Sequence, residues 1–255
     1  MVKIATPISG LFKDKAAALS ISAHSDCLEF RDHSLGSELK KQEIFHCDLQ
    51  PIHVFSDKET GYLRHVKKNK PGLKLVTFHI ASCCDRPRLK GGMFEPGGRR
   101  YTRQELLRTA GRNFRAIKRI FGSKTKIAVE NNNFYPTGAY KYITDADFVS
   151  EMVRGNAIYF VFDIAHGVIT SRNRGIDYRG YKRALPMDRA VQLHVSAPGS
   201  RHGIAYDAHR LPGDNEYGEV RELLAEYTGI EYVTVEYYKG AKDLVASLER
   251  MRRLL

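Results

Sequence analysis

Eight short runs of β-branched and aromatic residues alternate with helically spaced stretches along 255 residues, and this alternation leaves the chain very few folds. The strand-like runs are Lys3–Thr6, Cys27–Arg31, Ile44–Cys47, Lys74–His79, Lys126–Glu130, Ala157–Asp163, Ala190–His194 and Tyr232–Glu236. The helical stretches are Asp14–Ser25, Ser37–Lys41, Lys58–Asn69, Thr102–Phe121, Asp145–Arg154, Asp177–Ala184, Tyr217–Thr228 and Ala241–Leu255. Eight strand–helix units of this total length are what a (β/α)8 barrel requires. The expectation is an α/β fold with a single barrel domain over residues 1–255. No glycine-rich phosphate fingerprint follows the first strand, which argues against a dinucleotide-binding sheet.

Composition excludes several classes. A hydrophobic fraction of 42% with 10% aromatics rules out disorder, collagen and a coiled coil. No apolar run reaches the ~18–20 residues of a membrane helix, and the apolar part of Met1–Pro7 is too short for a signal peptide. Four cysteines make no disulfide framework, so a reducing cytoplasm is expected. Cys27 and Cys47 fall in strand runs and read as core, and Cys83 and Cys84 read as loop packing residues.

The formal charge of +12 is not spread evenly. Thirteen Lys or Arg and two acids lie between Arg86 and Lys126, a net of +11 that leaves the rest of the chain almost neutral. Arg86 to Arg100 is rich in Gly and Pro and reads as a loop. Thr102 to Phe121 carries Leu106, Leu107, Ala110, Phe114, Ile117 and Phe121 at helical spacing, opposite a basic face. Thr102 with Glu105 forms a capping box, and Gly122 stops the helix. The basic face is either simply solvated or a docking surface for something negatively charged.

Residues at the C-terminal ends of barrel strands face the active site. Those ends supply His46 (or the nearby His53), His79, Glu130, Asp163 with His166, His194, and Glu236, and the segment after the seventh strand adds Asp207 and His209. Nine imidazoles and carboxylates converging on one mouth would be costly without cations. They are too many for one tetrahedral metal, so the pattern fits two or three metal ions sharing carboxylates. The ligand types alone leave iron, zinc and manganese open. Tyr232, Tyr237 and Tyr238 read as barrel packing, with substrate stacking as the alternative.

This ordered set resembles the ligands of the xylose-isomerase-like TIM barrel superfamily. The resemblance runs from the third strand to the last, and its strongest segments are Glu130–Asn133, Phe162–Asn173 and His194–Gly199, with Tyr206–Pro212 and Thr234–Lys239. Two branches bind several metals this way: the endonuclease IV family of zinc-dependent abasic-site nucleases, and the multinuclear non-haem iron-dependent oxidases, which include the oxidase of methanobactin biosynthesis. Gly199-Ser-Arg201 is present, but Asp207 follows Arg201 by six residues where the nucleases have two. Asp163-Ile-Ala-His166 replaces the nuclease Asp-Thr-Cys-His. The chain is more similar to the oxidases, many of which carry Asn in place of His166; the methanobactin branch is closer at this point.

The resemblance implies two or three irons in mixed valence, with zinc or manganese as alternatives. It also implies O2-dependent oxidation of a cysteine in a ribosomally made precursor peptide, the thiol being deprotonated by a Lewis-acidic metal. His46, His79, Glu130, Asp163, His166, His194, Asp207, His209 and Glu236 would be the metal ligands. Glu130, Asp163, His194, Asp207 and Glu236 would carry the chemistry, and Asn131 and Asn133 would supply a carbonyl or orient the ligands. A small partner protein often presents the peptide leader in this family. Arg86, Arg88, Arg99, Arg100 and Arg103 would dock that partner or an acidic leader. Under the nuclease reading the same cations would track nucleic-acid phosphates. The other readings are a sugar isomerase or epimerase with one metal, in which Glu130 and Glu236 shuttle a proton, and a barrel whose metal is only structural.

Overall fold

The computed structural model describes residues 1–255. Its strands and α-helices follow one another as β1 (Lys3–Pro7), α1 (Lys15–His24), β2 (Cys27–Arg31), β3 (Gln42–Cys47), α2 (Asp57–Asn69), β4 (Leu75–Phe78), β5 (Arg88–Lys90), β6 (Met93–Glu95), α3 (Arg103–Phe121), β7 (Lys126–Glu130), α4 (Ala146–Gly155), β8 (Tyr159–Asp163), α5 (Ile164–Arg174), α6 (Tyr178–Ala184), β9 (Ala190–Val195), β10 (Ala197–Arg201), β11 (Ile204–Arg210), α7 (Asp214–Glu226), β12 (Tyr232–Val235) and α8 (Ala241–Leu254). Eight parallel strands close a barrel in the order β1-β2-β3-β4-β7-β8-β9-β12, with β12 pairing back onto β1. The remaining four strands form two antiparallel hairpins, β5–β6 and β10–β11.

Period-2 alternation builds the interior. One residue from each barrel strand, namely Ala5, Cys27, Ile44, Leu75, Ala128, Val161, Val191 and Tyr232, forms an apolar plug of eight inside the barrel. Two residues further along, the same inward face carries Glu29, His46, Thr77, Glu130, Asp163 and Thr234, all buried. The barrel floor is thus apolar and its C-terminal mouth polar. The opposite strand faces and the inner faces of the helices make a second core of 51 residues. There α3 contributes Leu106, Ala110, Phe114, Ile117 and Phe121, under the Thr102–Glu105 capping box expected from the sequence.

Three local expectations are corrected. Ser37–Lys41 is not a helix: its carbonyls are taken by side chains, with Gln42 Nε2 donating to Ser37 O and Leu39 O, and Lys41 turns left-handed at φ 66°. The β2–β3 connection is a loop with a short 3-10 turn at Asp32–Ser34, so one of the eight strand–helix units has no helix. Arg86–Arg100 is not simply a loop, because β5 and β6 pair within it. The helix α5 was not expected. It is buried along most of its length, at Ile164 to Gly167 and Ile169 to Ser171, and so shows no amphipathic pattern.

Candidate metal centre

Barrel strands β3, β7, β8 and β9 with the residues just after β4 and β12, helix α5 and hairpin strand β11 bring the nine sequence-derived residues together at the mouth. Glu130, ending β7, is the hub. Its Oε1 lies 2.8 Å from His194 Nδ1, and its Oε2 lies 3.2 Å from His79 Nδ1 and 3.5 Å from His46 Nε2. His166 approaches Asp207 at 3.5 Å through Nε2, and His209 Nε2 lies 3.2 Å from Asp207 and 3.1 Å from Glu236. Asp207 and His209 reach the site from β11 of the second hairpin rather than from a loop. His209 holds φ at 42°, a left-handed conformation that an ordinary residue keeps only when its surroundings over-determine it. His53 is outside the mouth; its Nε2 meets Ser82 O at 3.0 Å and its ring packs on Tyr101.

Hydrogen bonds behind these side chains fix which ring nitrogen of His166 faces inward. Asp163 Oδ1 caps α5 by accepting the His166 N–H at 2.7 Å. Asn131 exchanges two hydrogen bonds with the Asp163 backbone, and its own carbonyl accepts from His166 Nδ1 at 2.8 Å. His166 Nε2 is left pointing into the mouth. Asn133 lines the mouth without such a bond, and Asn132 ties the loop after β7 to Ile80 O and Ala81 O.

Sequence reasoning missed Glu29 and Arg31, which β2 projects inward. Glu29 is fully buried, accepts from Gln192 Nε2 at 2.8 Å and faces His194 Nε2 at 3.1 Å. Arg31 joins Glu29 to Glu236. The available signal was two charged residues spaced i, i+2 inside an otherwise apolar strand.

Burial opposes every charge in this site, and the partners decide the outcome. Burial would push His194 down, yet Glu29, Glu236 and Glu130 hold its imidazole well above the ordinary value. His166 is raised against burial by Asp163, Asp207 and Glu130, and His209 by Glu236 and Asp207. Glu130 and Glu236 stay well below the usual carboxylate range despite burial, held by His194, His79 and His46 in the first case and by Arg31, His194 and His209 in the second. For Asp163 burial wins and moves the carboxyl up to about 7. Burial, His79 and Arg31 push His46 well down.

The donor set fits metal ions on two counts. Four groups of three ligand atoms lie within 4.8 Å of one another: Glu29–His46–His194, His46–His79–Glu130, Glu130–Asp163–His166 and Asp163–His194–Glu236. In addition, Glu130 Oε2 and His194 Nδ1 are buried with no hydrogen-bond partner. With Nε2 donating to Glu29, neutral His194 turns the Nδ1 lone pair toward a carboxylate, a repulsion that a shared proton or a bound cation relieves.

The basic segment divides between two surfaces. Arg86, just before the first hairpin, and Arg88, its first residue, stand exposed near Asp85 and Glu95. Arg99 pairs with Glu105 and stacks on Tyr101, and Arg100 reaches toward Gly138. Arg103 is engaged by Asp147 and Glu151 of α4, on the outside of the barrel. Cys83 and Cys84 are buried under this loop, with Cys83 Sγ donating to Gly138 O.

Fold and site together define a (β/α)8 TIM barrel with a polar, metal-suited mouth. Similar solved structures include D-psicose 3-epimerase with D-tagatose from Clostridium cellulolyticum H10, with a TM-score of 0.65 at 12% identity over 100% of this chain and 99% of that one. A putative xylose isomerase from Rhodospirillum rubrum gives 0.62 at 11% over 99% of each chain. At these identities the likeness establishes the fold. The model of the family described as RiPP precursor modification enzyme MbnB/TglH/ChrH matches residues 64–253, and the chain belongs to that family. A UPF0276 protein of Caulobacter vibrioides (strain NA1000 / CB15N) is 28% identical over 129 residues, 49% of this chain and 46% of that protein. One from Anaeromyxobacter sp. is 25% identical over 123 residues, 48% of this chain and 42% of that protein. The chain thus spans about half the length of the curated relatives it matches. No helix is long and apolar enough to cross a membrane.

Proposed function

We propose that this chain is a cytoplasmic, multinuclear iron-dependent oxidase that uses O2 to modify a cysteine of a ribosomally synthesised precursor peptide. The observation that carries the reading is the overlap of ligand trios on shared carboxylates, with Glu130 and Asp163 each belonging to two of them. His46, His79 and Glu130 would hold one ion, and Asp163, His194 and Glu236 a second. His166, Asp207 and His209 complete a place for a third. Bound there, iron supplies O2 activation and Lewis-acid deprotonation of the substrate thiol. The protein's part is positional: Asn131 and Glu29 set the histidine tautomers, and Arg31 offsets the charge of Glu29 and Glu236. Phe94 of the first hairpin and Asp207 and His209 of the second line the mouth. A small partner protein or an acidic leader would dock on the exposed cations of the Arg86–Lys126 segment. The test is oxygen uptake by the iron-loaded protein on addition of a short cysteine-containing peptide encoded beside it, with product mass read in parallel. Uptake with a mass change confined to the cysteine is expected. An unchanged peptide with cleavage of an abasic-site duplex contradicts the reading.

A further inference from the structure

We infer that the groove between the two mouth hairpins is a side-chain subsite, taking a bulky apolar residue adjacent in the substrate peptide to the reacting cysteine. This rests on the peptide-oxidase reading above. The groove encloses about 450 Å3, within the ~300–1,000 Å3 of typical ligand sites. Met93 of β6, Tyr135 after β7, and Ile204 and Tyr206 of β11 form its walls, with Arg201 and His202 at its outer rim. Its inner end is Asp207, which also lines the metal mouth. Phe94, next to Met93, lines that mouth as well. A peptide whose thiol sits in the mouth therefore has this groove as contiguous space for a neighbouring side chain.

The walls are held in place. The Tyr135 hydroxyl accepts the Asp207 N–H at 3.4 Å, which joins the second hairpin to the loop after β7. At Gly199 a Cβ would lie 2.6 Å from the Tyr206 ring, so the missing side chain lets that ring lie across β10. Tyr206 is nevertheless 40% exposed, an aromatic face turned to an open groove. The tip of the first hairpin is Gly91–Gly92, with φ +57° and +81°, and both glycines line the groove without putting a side chain into it. Apolar walls leading directly from a polar mouth discriminate by burial, which favours an aromatic or branched aliphatic side chain over glycine.

The chain contains no tryptophan, so a tryptophan in the peptide reports binding against a quiet background. The experiment titrates the iron-loaded full chain, without O2, with the blocked dipeptides Ac-Cys-Trp-NH2 and Ac-Trp-Cys-NH2, following tryptophan emission. Ac-Cys-Gly-NH2 serves as competitor and Ac-Ser-Trp-NH2 as the thiol-free control. In at least one order the tryptophan peptide should bind about tenfold or more tightly than Ac-Cys-Gly-NH2. Ile204→Asp and, independently, Tyr206→Ala should abolish that preference without changing Ac-Cys-Gly-NH2 binding. Equal affinities in the wild type, or a preference that survives both substitutions, would overturn the subsite. If Ac-Ser-Trp-NH2 binds as tightly as its cysteine counterpart and Ile204→Asp weakens both, the subsite stands and the thiol–metal reading fails.

Discussion

Arg31 shows how a residue without a motif can organise a site. Its guanidinium lies between two buried carboxylates, Glu29 and Glu236, which would otherwise repel each other and the charge of Glu130. Arg31→Met leaves that negative charge uncompensated and is expected to destabilise the metal-free protein by roughly 3 kcal/mol. Urea unfolding with and without metal checks this: cations at the mouth should recover part of the loss, whereas equal losses in both would assign Arg31 to packing alone. His46, His79, Glu130, Asp163, His194 and Glu236 were legible because His, Asp and Glu are expensive at the close of apolar strands, and His166, Asp207 and His209 because they follow two of those strands. Glu29 was not, because it stands in the middle of Cys27–Arg31, and only the barrel's closure shows that its face is the interior; Arg31 ends that strand but, as a cation, is no metal-ligand type. His46 was separable from His53 only by register, which puts His46 opposite Thr77 and leaves His53 to bond Ser82 O.

At the scale of elements, β2 and β7 have the bounds that the sequence predicts, and the helices with clear caps lie within a few residues of expectation. Elements without a local signature were lost. The helix α5 is buried on most sides, and the hairpins are short strands on exposed excursions whose pairing depends on paired turns at Gly91–Gly92 and His202–Gly203. One inter-element staple gives a pH signature. Asp26, ahead of β2, accepts the Ile4 N–H at 2.8 Å and pairs with Arg252 of α8 through two contacts of 2.8 Å. Burial would raise its carboxyl, but Arg252 and the Ile4 amide outweigh burial and lower it. A depressed folded-state pKa contributes stability above the unfolded value near 3.8, lost as pH falls through the folded value. Asp26→Asn should therefore cost about 1 kcal/mol at pH 7, a figure kept small because the pair is partly exposed. The gap from wild type should narrow progressively as pH falls below 3.8 in thermal melts across pH. Within the second hairpin, Gly199→Ala should destabilise by about 1 kcal/mol, because the Tyr206 ring must move aside and the new Cβ also presses on the Ala208 Cβ. It should also weaken tryptophan-peptide binding; an unchanged titration would show that the ring position does not matter.

Over the whole molecule, the charge of +12 divides between two surfaces. Arg86 and Arg88 stand exposed at the start of the first hairpin, paired with Asp85 and Glu95. The cations of α3 stand outside, where Arg119 shares a groove of about 530 Å3 with Arg64, Lys67 and Lys68 of α2. The sequence located this charge in one segment, but only the fold shows that half of it faces away from the chemistry. Changing Arg86, Arg88, Arg112 and Arg119 together to Glu should weaken capture of an acidic leader or partner by tenfold or more at physiological salt while leaving iron content unchanged. Unchanged capture would remove the docking role. The barrel itself was legible because eight strand runs of suitable spacing have few other closures, and the missing β2–β3 helix shows that closure tolerates a loop where side chains satisfy the backbone. The central claim is that the mouth is a multinuclear iron centre, and elemental analysis of the full chain purified without added metal tests it most directly. Two or three irons per chain with a visible charge-transfer band are predicted; zinc alone, or no metal above one equivalent, would contradict it.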